Sequence, residues 1–178
     1  MWSLIKIIAI TGMPGSGKGQ LSDLFRKRGI KVIVMSDVLK EKYYRDAKPG
    51  ERLMDFAKRM REIFGKGVVA KLCIEKLNGT EDVVVIDGVR NWEEIEEFEK
   101  VGKVIIIAVH ASRSVRYSRL MNRGREDDST SLQDLMKRDF DELQMGIGTV
   151  IALADYVITN DSSIEEFNKR AEDLINRL

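Results

Sequence analysis

Gly12-Met13-Pro14-Gly15-Ser16-Gly17-Lys18 sets two glycines around four residues and follows them with a lysine. Glycines in such a run let successive backbone N–H groups turn inward around phosphate oxygens. A helix beginning there adds the positive end of its dipole, and a lysine reaches the outer phosphates. The context suits that chemistry, because an apolar run from Leu4 to Ile10 precedes the loop and a helical pattern follows it. The residue after the lysine is Gly19, where a hydroxyl that ligates magnesium is usual. A metal here must therefore be held by phosphates, water and a carboxylate from elsewhere. Asp87 is the natural candidate, at the end of the apolar run Val83–Ile86.

A second set of groups suited to anions lies between residues 113 and 125, where Arg113, Arg116, Arg119, Arg123 and Arg125 occur with no acidic residue. The first four recur at helical spacing, which stacks like charges on one face and costs a few tenths of a kcal/mol per pair unless anions sit opposite. For Arg113 and Arg116 the expected answer is the acidic run Glu93, Glu94, Glu96, Glu97 and Glu99, or solvent. Arg119, Arg123 and Arg125 approach Gly124 and the polar stretch Asn122–Ser131, and are assigned to phosphates.

These groups need a scaffold. Short β-branched runs at Ile5–Ile10, Lys31–Val34, Val83–Ile86, Val104–Val109 and Tyr156–Ile158 read as five buried strands separated by helical patterns. No Asn-Gly or Asp-Gly hairpin joins them, so the expectation is a parallel sheet covered on both faces, a three-layer α/β sandwich of one domain over residues 1–178. In such sheets ligands lie beyond the carboxyl ends of the strands, where Gly12–Gly19, Ser36-Asp37, Asp87–Arg90, His110–Arg113 and Thr159–Ser162 all fall. Helices over 36–47, 52–64 and 66–77 form an insertion, with Leu53, Phe56, Met60, Ile63 and Phe64 assigned to packing. Two overlapping capping boxes, Ser162 with Glu165 and Ser163 with Glu166, start a last helix with Ile164, Phe167, Ala171, Leu174 and Ile175 as its buried stripe.

The chain has 178 residues, and 30 Lys+Arg against 29 Asp+Glu leave a net charge of +1, so no basic footprint for nucleic acid exists. One cysteine, Cys73, forbids an internal disulfide and points to a reducing, cytoplasmic setting. No apolar run approaches the roughly 20 residues of a membrane span, and the apolar opening lacks a small-residue cleavage site. Neither a membrane nor a nucleic acid is expected as partner.

The loop Gly12-x-Pro14-Gly15-Ser16-Gly17-Lys18-Gly19 resembles that of adenylate kinases, which also carry glycine after the lysine. Ser36-Asp37-Val38-Leu39-Lys40 resembles the start of their acceptor-nucleotide region, and Asp87-Gly88-Val89-Arg90 resembles their Asp-Gly-x-Pro-Arg segment without its proline. Arg119-Leu120, Arg123-Gly124-Arg125 and Asp127-Asp128 resemble an abbreviated lid, whereas Ala154–Ser162 resembles dephospho-coenzyme A kinase. Together they resemble an archaeal group of adenylate-kinase-related P-loop proteins lying between those enzymes.

That resemblance implies a P-loop fold of the nucleoside-monophosphate-kinase type and transfer of the γ-phosphoryl of ATP, with Mg2+, to a nucleotide-type acceptor such as AMP. Gly12 through Gly19 and Arg119 would bind ATP. Lys18 would hold donor phosphates, and Asp87 the metal through water. Arg123, Arg125 and Arg138 would act on the transferred group. Ser36, Asp37, Lys40 and Arg90 would bind the acceptor, the region 36–78 serving as acceptor insertion and 122–131 as a short lid that excludes water. For a phosphate acceptor no base is required; for a hydroxyl, as in dephospho-coenzyme A, Asp37 would take the proton. Ser36 and Asp37 also read as a simple helix start. A nucleotide-binding NTPase or regulatory module without efficient transfer is the reading of a third class. Glu94 stands near the place of the adenine-reading glutamine of adenylate kinases, and reads either as a base contact or as an exposed residue. His110 is expected to be structural, Cys73 core, and Trp92 core or near the acceptor.

Overall fold

The computed structural model describes residues 4–124 and 131–178. Of the sequence expectations, Arg125, Asp127, Asp128 and most of the 122–131 stretch lie outside the described residues.

Five strands, β1 (Ile5–Thr11), β2 (Lys31–Val34), β3 (Val83–Asp87), β4 (Gly102–His110) and β5 (Tyr156–Thr159), form one sheet in the order β2-β3-β1-β4-β5. Every pairing is parallel. Alternation along β1 sends Ile7 and Ala9 to one face and Ile8 and Ile10 to the other, and each face builds its own core. On the first face pack helices α2 (Met35–Asp46), α3 (Leu53–Phe64), α4 (Val68–Ile74), α5 (Trp92–Glu99) and α8 (Ile147–Ala152). On the second lie α1 (Lys18–Lys27) and α9 (Ile164–Ile175), through Leu21, Leu24, Phe25, Phe167, Ala171 and Leu174. Helices α6 (Arg113–Arg123) and α7 (Leu132–Met145) meet at a small separate core of Tyr117, Leu120 and Leu135. This is the three-layer α/β sandwich with a five-stranded parallel sheet expected from the sequence.

Not every strand is buried. In β5 only Ile158 is buried and in β2 only Ile33, because both are edge strands and helices cover them incompletely. In α3, Phe56 and Met60 are buried as expected, but Ile63 is 59% and Phe64 56% exposed. These two lie in the last turn of the helix, just before its C-cap Gly65, and among the described residues they stay uncovered. In α9 the cap is Ser163, whose hydroxyl accepts from Glu166 N, and Ile164 in the first turn stays exposed. Cys73 is fully buried in α4 and its thiol is pushed up to about 12 by desolvation, as befits a core residue. Trp92 packs against the same core, and His110 is exposed at the end of β4.

Candidate active site

The end of β1 positions the first groups. After Thr11 the chain turns through Gly12, Gly15 and Gly17, at φ 156, 79 and 103°. At the last two a side chain would be strained, and all three are also close-packed. A Cβ on Gly12 would lie 2.5 Å from the Val109 carbonyl, on Gly15 2.9 Å from the Arg116 carbonyl, and on Gly17 2.2 Å from Asn160 Nδ2. The resulting concave run of amides ends at the N-terminus of α1, the arrangement a polyphosphate requires. Gly19 is different: a Cβ there meets nothing within 4 Å, so the missing hydroxyl is not a packing demand.

Lys18 Nζ donates to Gly12 O at 2.9 Å and Met13 O at 3.4 Å, folded back along the loop. Desolvation lowers its pKa to about 8, offset partly by Asp87 and Glu142 and deepened by Arg90 and Arg138. The charges that act on the lysine thus come from the end of β3, the segment after it, and α7.

Asp87 sits beside Ile10 in the β1–β3 register and is 7% exposed. Ser22 of α1 donates its hydroxyl to Asp87 Oδ2 at 2.7 Å, fixing the carboxylate toward the loop. Past Asp87, Gly88 N and Val89 N both donate to Ile10 O, at 2.9 and 3.1 Å, and Thr11 Oγ1 donates to Val89 O at 2.8 Å. The segment that delivers Arg90 is thus hung from the end of the central strand. Among the described residues no group of three metal-ligating side chains exists. One positioned carboxylate beside a phosphate cradle nevertheless fits magnesium that takes its other ligands from phosphates and water.

Ser36 and Asp37 fall in the first turn of α2, whose N-cap is Val34 with no side-chain cap, so neither acts as the simple helix cap. Asp37 and Lys40 are both exposed. Arg123 ends α6, and Arg138 is half-buried on α7, close enough to Lys18 to depress it.

Arg116 departs most from expectation. It does not face the acidic run of α5; it is 6% exposed and forms a two-pronged pair with Asp139 of α7, Nη1 to Oδ1 at 2.9 Å and Nη2 to Oδ2 at 2.8 Å. Tyr117 donates its hydroxyl to the same carboxylate at 3.0 Å, and Arg116 Nη1 also donates to Pro14 O at 3.1 Å. Arg119, one turn on, donates to Gly15 O at 3.3 Å and to Asn160 O. Asn160 Nδ2 in turn donates to Ser16 O at 2.8 Å and Gln20 Oε1 at 3.1 Å. The carbonyls of Pro14, Gly15 and Ser16 are therefore held by α6 and the end of β5. Sequence reasoning marked Thr159–Ser162 by position but did not single out Asn160, Ser22, Asp139 or Glu142. Each depends on a contact at least 22 residues distant along the chain and has no local signature.

Glu94 is neither exposed nor free to read a base. It is 1% exposed, and its Oε1 accepts from Arg90 N at 2.7 Å and Asn91 N at 3.2 Å while Asn91 Oδ1 accepts from Glu94 N at 2.9 Å. This reciprocal capping box starts α5 and fixes the backbone of Arg90. Burial raises the Glu94 pKa to about 7 against those hydrogen bonds. The folded protein therefore binds a proton that the unfolded chain releases near the ordinary glutamate value, and stability should fall as pH rises from about 4.5 to about 7 and level off above. Urea unfolding at pH 5 and pH 7.5 checks this: Glu94→Gln, which keeps the accepting oxygen, should flatten that part of the profile.

Comparison with known proteins places this geometry in context. The family model described as an AAA domain matches residues 8–146. A UPF0200 protein of Sulfurisphaera tokodaii is 68% identical over 99% of both chains. One of Saccharolobus solfataricus is 55% identical over 98% of this chain and 94% of its own length. A third, from Hyperthermus butylicus, is 44% identical over 97% and 94%. In fold the chain is similar to the crystal structure of TT1252 from Thermus thermophilus, with TM-score 0.64 at 22% identity over 98% of both chains. It is likewise similar to shikimate kinase from Bacteroides thetaiotaomicron, with TM-score 0.63 at 17% identity over 97% and 99%.

Proposed function

The chain belongs to the UPF0200 family of archaeal proteins, and from that premise we propose that it is a P-loop phosphotransferase moving the γ-phosphoryl of ATP to a nucleotide-type acceptor, AMP being the first to test. The observation that carries this reading is the glycine loop after β1 that leads into α1 at Lys18, with Asp87, oriented by Ser22, at the end of the neighbouring β3, and Arg90 and Arg138 acting electrostatically on the lysine. Three cations around one oriented carboxylate suit a metal–triphosphate with an anion in line beside it, and phosphoryl transfer asks the protein mainly for positioning and charge.

In the mechanism, the Gly12–Gly19 loop binds the donor phosphates through backbone N–H groups other than that of Pro14, which has none. Lys18 leaves the carbonyls of Gly12 and Met13 to contact the outer phosphates, and Arg119, beside Gly15 and Asn160, borders the donor nucleotide. Asp87, held by Ser22, would hold a hydrated magnesium, which would supply neutralisation of the donor phosphates' charge. Arg90 holds the acceptor phosphate from a backbone fixed by Glu94. Arg138, with Arg123 and Arg125 from the proposed lid at 122–131, stabilises charge on the transferred group. An oxygen of the acceptor phosphate attacks the γ-phosphorus, the bond to ADP breaks, and no base is needed. Helices α2–α4 form the acceptor side, with Ser36, Asp37 and Lys40 at its mouth.

A hydroxyl acceptor such as dephospho-coenzyme A is the second reading. It is favoured by Asp37, which is exposed in the first turn of α2 and tied to no cap, and so is able to take a proton. The experiment is a panel of AMP, GMP, CMP, UMP and dephospho-coenzyme A with magnesium-ATP, the products identified by mass. Phosphorylated AMP is expected. A phosphorylated coenzyme would select the second reading, and phosphate release without any phosphorylated acceptor would replace both by an NTPase or regulatory module. The cytoplasmic setting proposed from Cys73 is consistent with these substrates.

A further inference from the structure

We propose that Glu142 stands in for the acceptor's anion: its carboxylate holds the place beside Arg90, with the Arg61 guanidinium in its field, that a phosphomonoester takes when it enters. This inference rests on the reading of the cleft as an acceptor site.

Glu142 lies on α7 one turn beyond Asp139, and its side chain is 9% exposed. Oε1 stands 3.8 Å from Arg90 Nη1, an ion pair too long for a hydrogen bond, and among the described residues Oε2 has no hydrogen-bond partner. Arg61 of α3 is partly buried, and among the described residues its Nε also has no hydrogen-bond partner. Desolvation pulls the Arg61 pKa down, with Glu94 and Glu142 as the carboxylates that oppose the shift and Arg90 deepening it. Glu94 has its own employment, because its Oε1 is taken by the amides of Arg90 and Asn91.

So three buried or half-buried charged groups, from α3, the β3–α5 segment and α7, converge with a donor and an acceptor left over. Half-satisfied polar groups in a buried place are costly, and a ligand that completes them recovers that cost. A phosphomonoester supplies oxygens to Arg61 Nε and to Arg90. Until it arrives, the Glu142 carboxylate partly neutralises the two guanidiniums, and it competes with the ligand for them. Arg61 would thereby join Arg90 and Lys40 on the acceptor phosphate.

The test is calorimetry on the full chain loaded with magnesium and a non-hydrolysable ATP analogue, which fills the donor loop. AMP is titrated in one arm and inorganic phosphate in the other, separating a nucleotide-borne phosphate from the free ion. Glu142→Gln, an amide of the same shape, should bind AMP about tenfold more tightly than the unaltered chain, and Arg61→Gln about tenfold more weakly. Tightening in both arms assigns the site to the phosphate itself; tightening with AMP alone still supports the exchange and requires the nucleoside. Unchanged or weaker AMP binding by Glu142→Gln overturns the proposal, as does failure of both proteins to bind either probe. Should Glu142→Gln fail to fold, Arg61→Gln decides the matter by the same comparison. A protein that binds AMP in this pattern yet transfers no phosphate would sink the kinase reading alone.

Discussion

Lys18→Ala will lower phosphoryl transfer by on the order of 10³-fold while leaving thermal unfolding nearly unchanged. The lysine contributes little to the fold: among the described residues its ammonium bonds only to the carbonyls of Gly12 and Met13, and burial already depresses it to about 8. A phosphate beside it favours the charged form, so near pH 8, where about half the lysines are neutral beforehand, nucleotide binding should draw in protons. Calorimetry in two buffers of different ionisation enthalpy measures that uptake, and the alanine variant should lose it together with turnover. Near-normal turnover in the variant would remove the lysine from the reaction.

The second large effect falls on stability. Arg116→Ala should cost about 3–5 kcal/mol in urea unfolding, because it strands the Asp139 carboxylate in a buried place with only the Tyr117 hydroxyl for company. The same change releases the Pro14 carbonyl, so ATP affinity should fall as well. Replacing both partners by apolar residues, Arg116→Met with Asp139→Leu, should recover much of the stability, since no unpaired charge remains. It should not recover the ATP affinity, because Pro14 still lacks its donor. Separating the two losses in this way distinguishes a loop support from a plain core ion pair.

The contrast between Lys18 and Arg116 also marks what sequence could convey. The phosphate loop, the five strands and Asp87 were legible because each is local: a glycine spacing, a β-branched run, a carboxylate at a strand end. Glu94 had a local signal too, Asn91 three residues before it, but the density of glutamates around it suggested a solvated face. Arg116 was misassigned because its partner comes from α7, 23 residues on, and only the packing of α6 against α7 brings the two together. Arg61 carries no sequence signal of its own. Its burial follows from where α3 lies relative to the β3–α5 segment, which no spacing within α3 encodes. Ile63 and Phe64 failed in the opposite sense, their periodicity being right and their cover missing.

The strand order carries a consequence for how such a protein changes over time. Every group assigned to the donor hangs from β1, its two immediate neighbours, or the helices that brace them, whereas the acceptor-side helices α2 and α3 follow β2, at the outer margin of the sheet. Mutations that remodel that margin leave the interior ladder untouched. Lineages sharing this architecture are therefore free to trade one acceptor for another while inheriting the same engine.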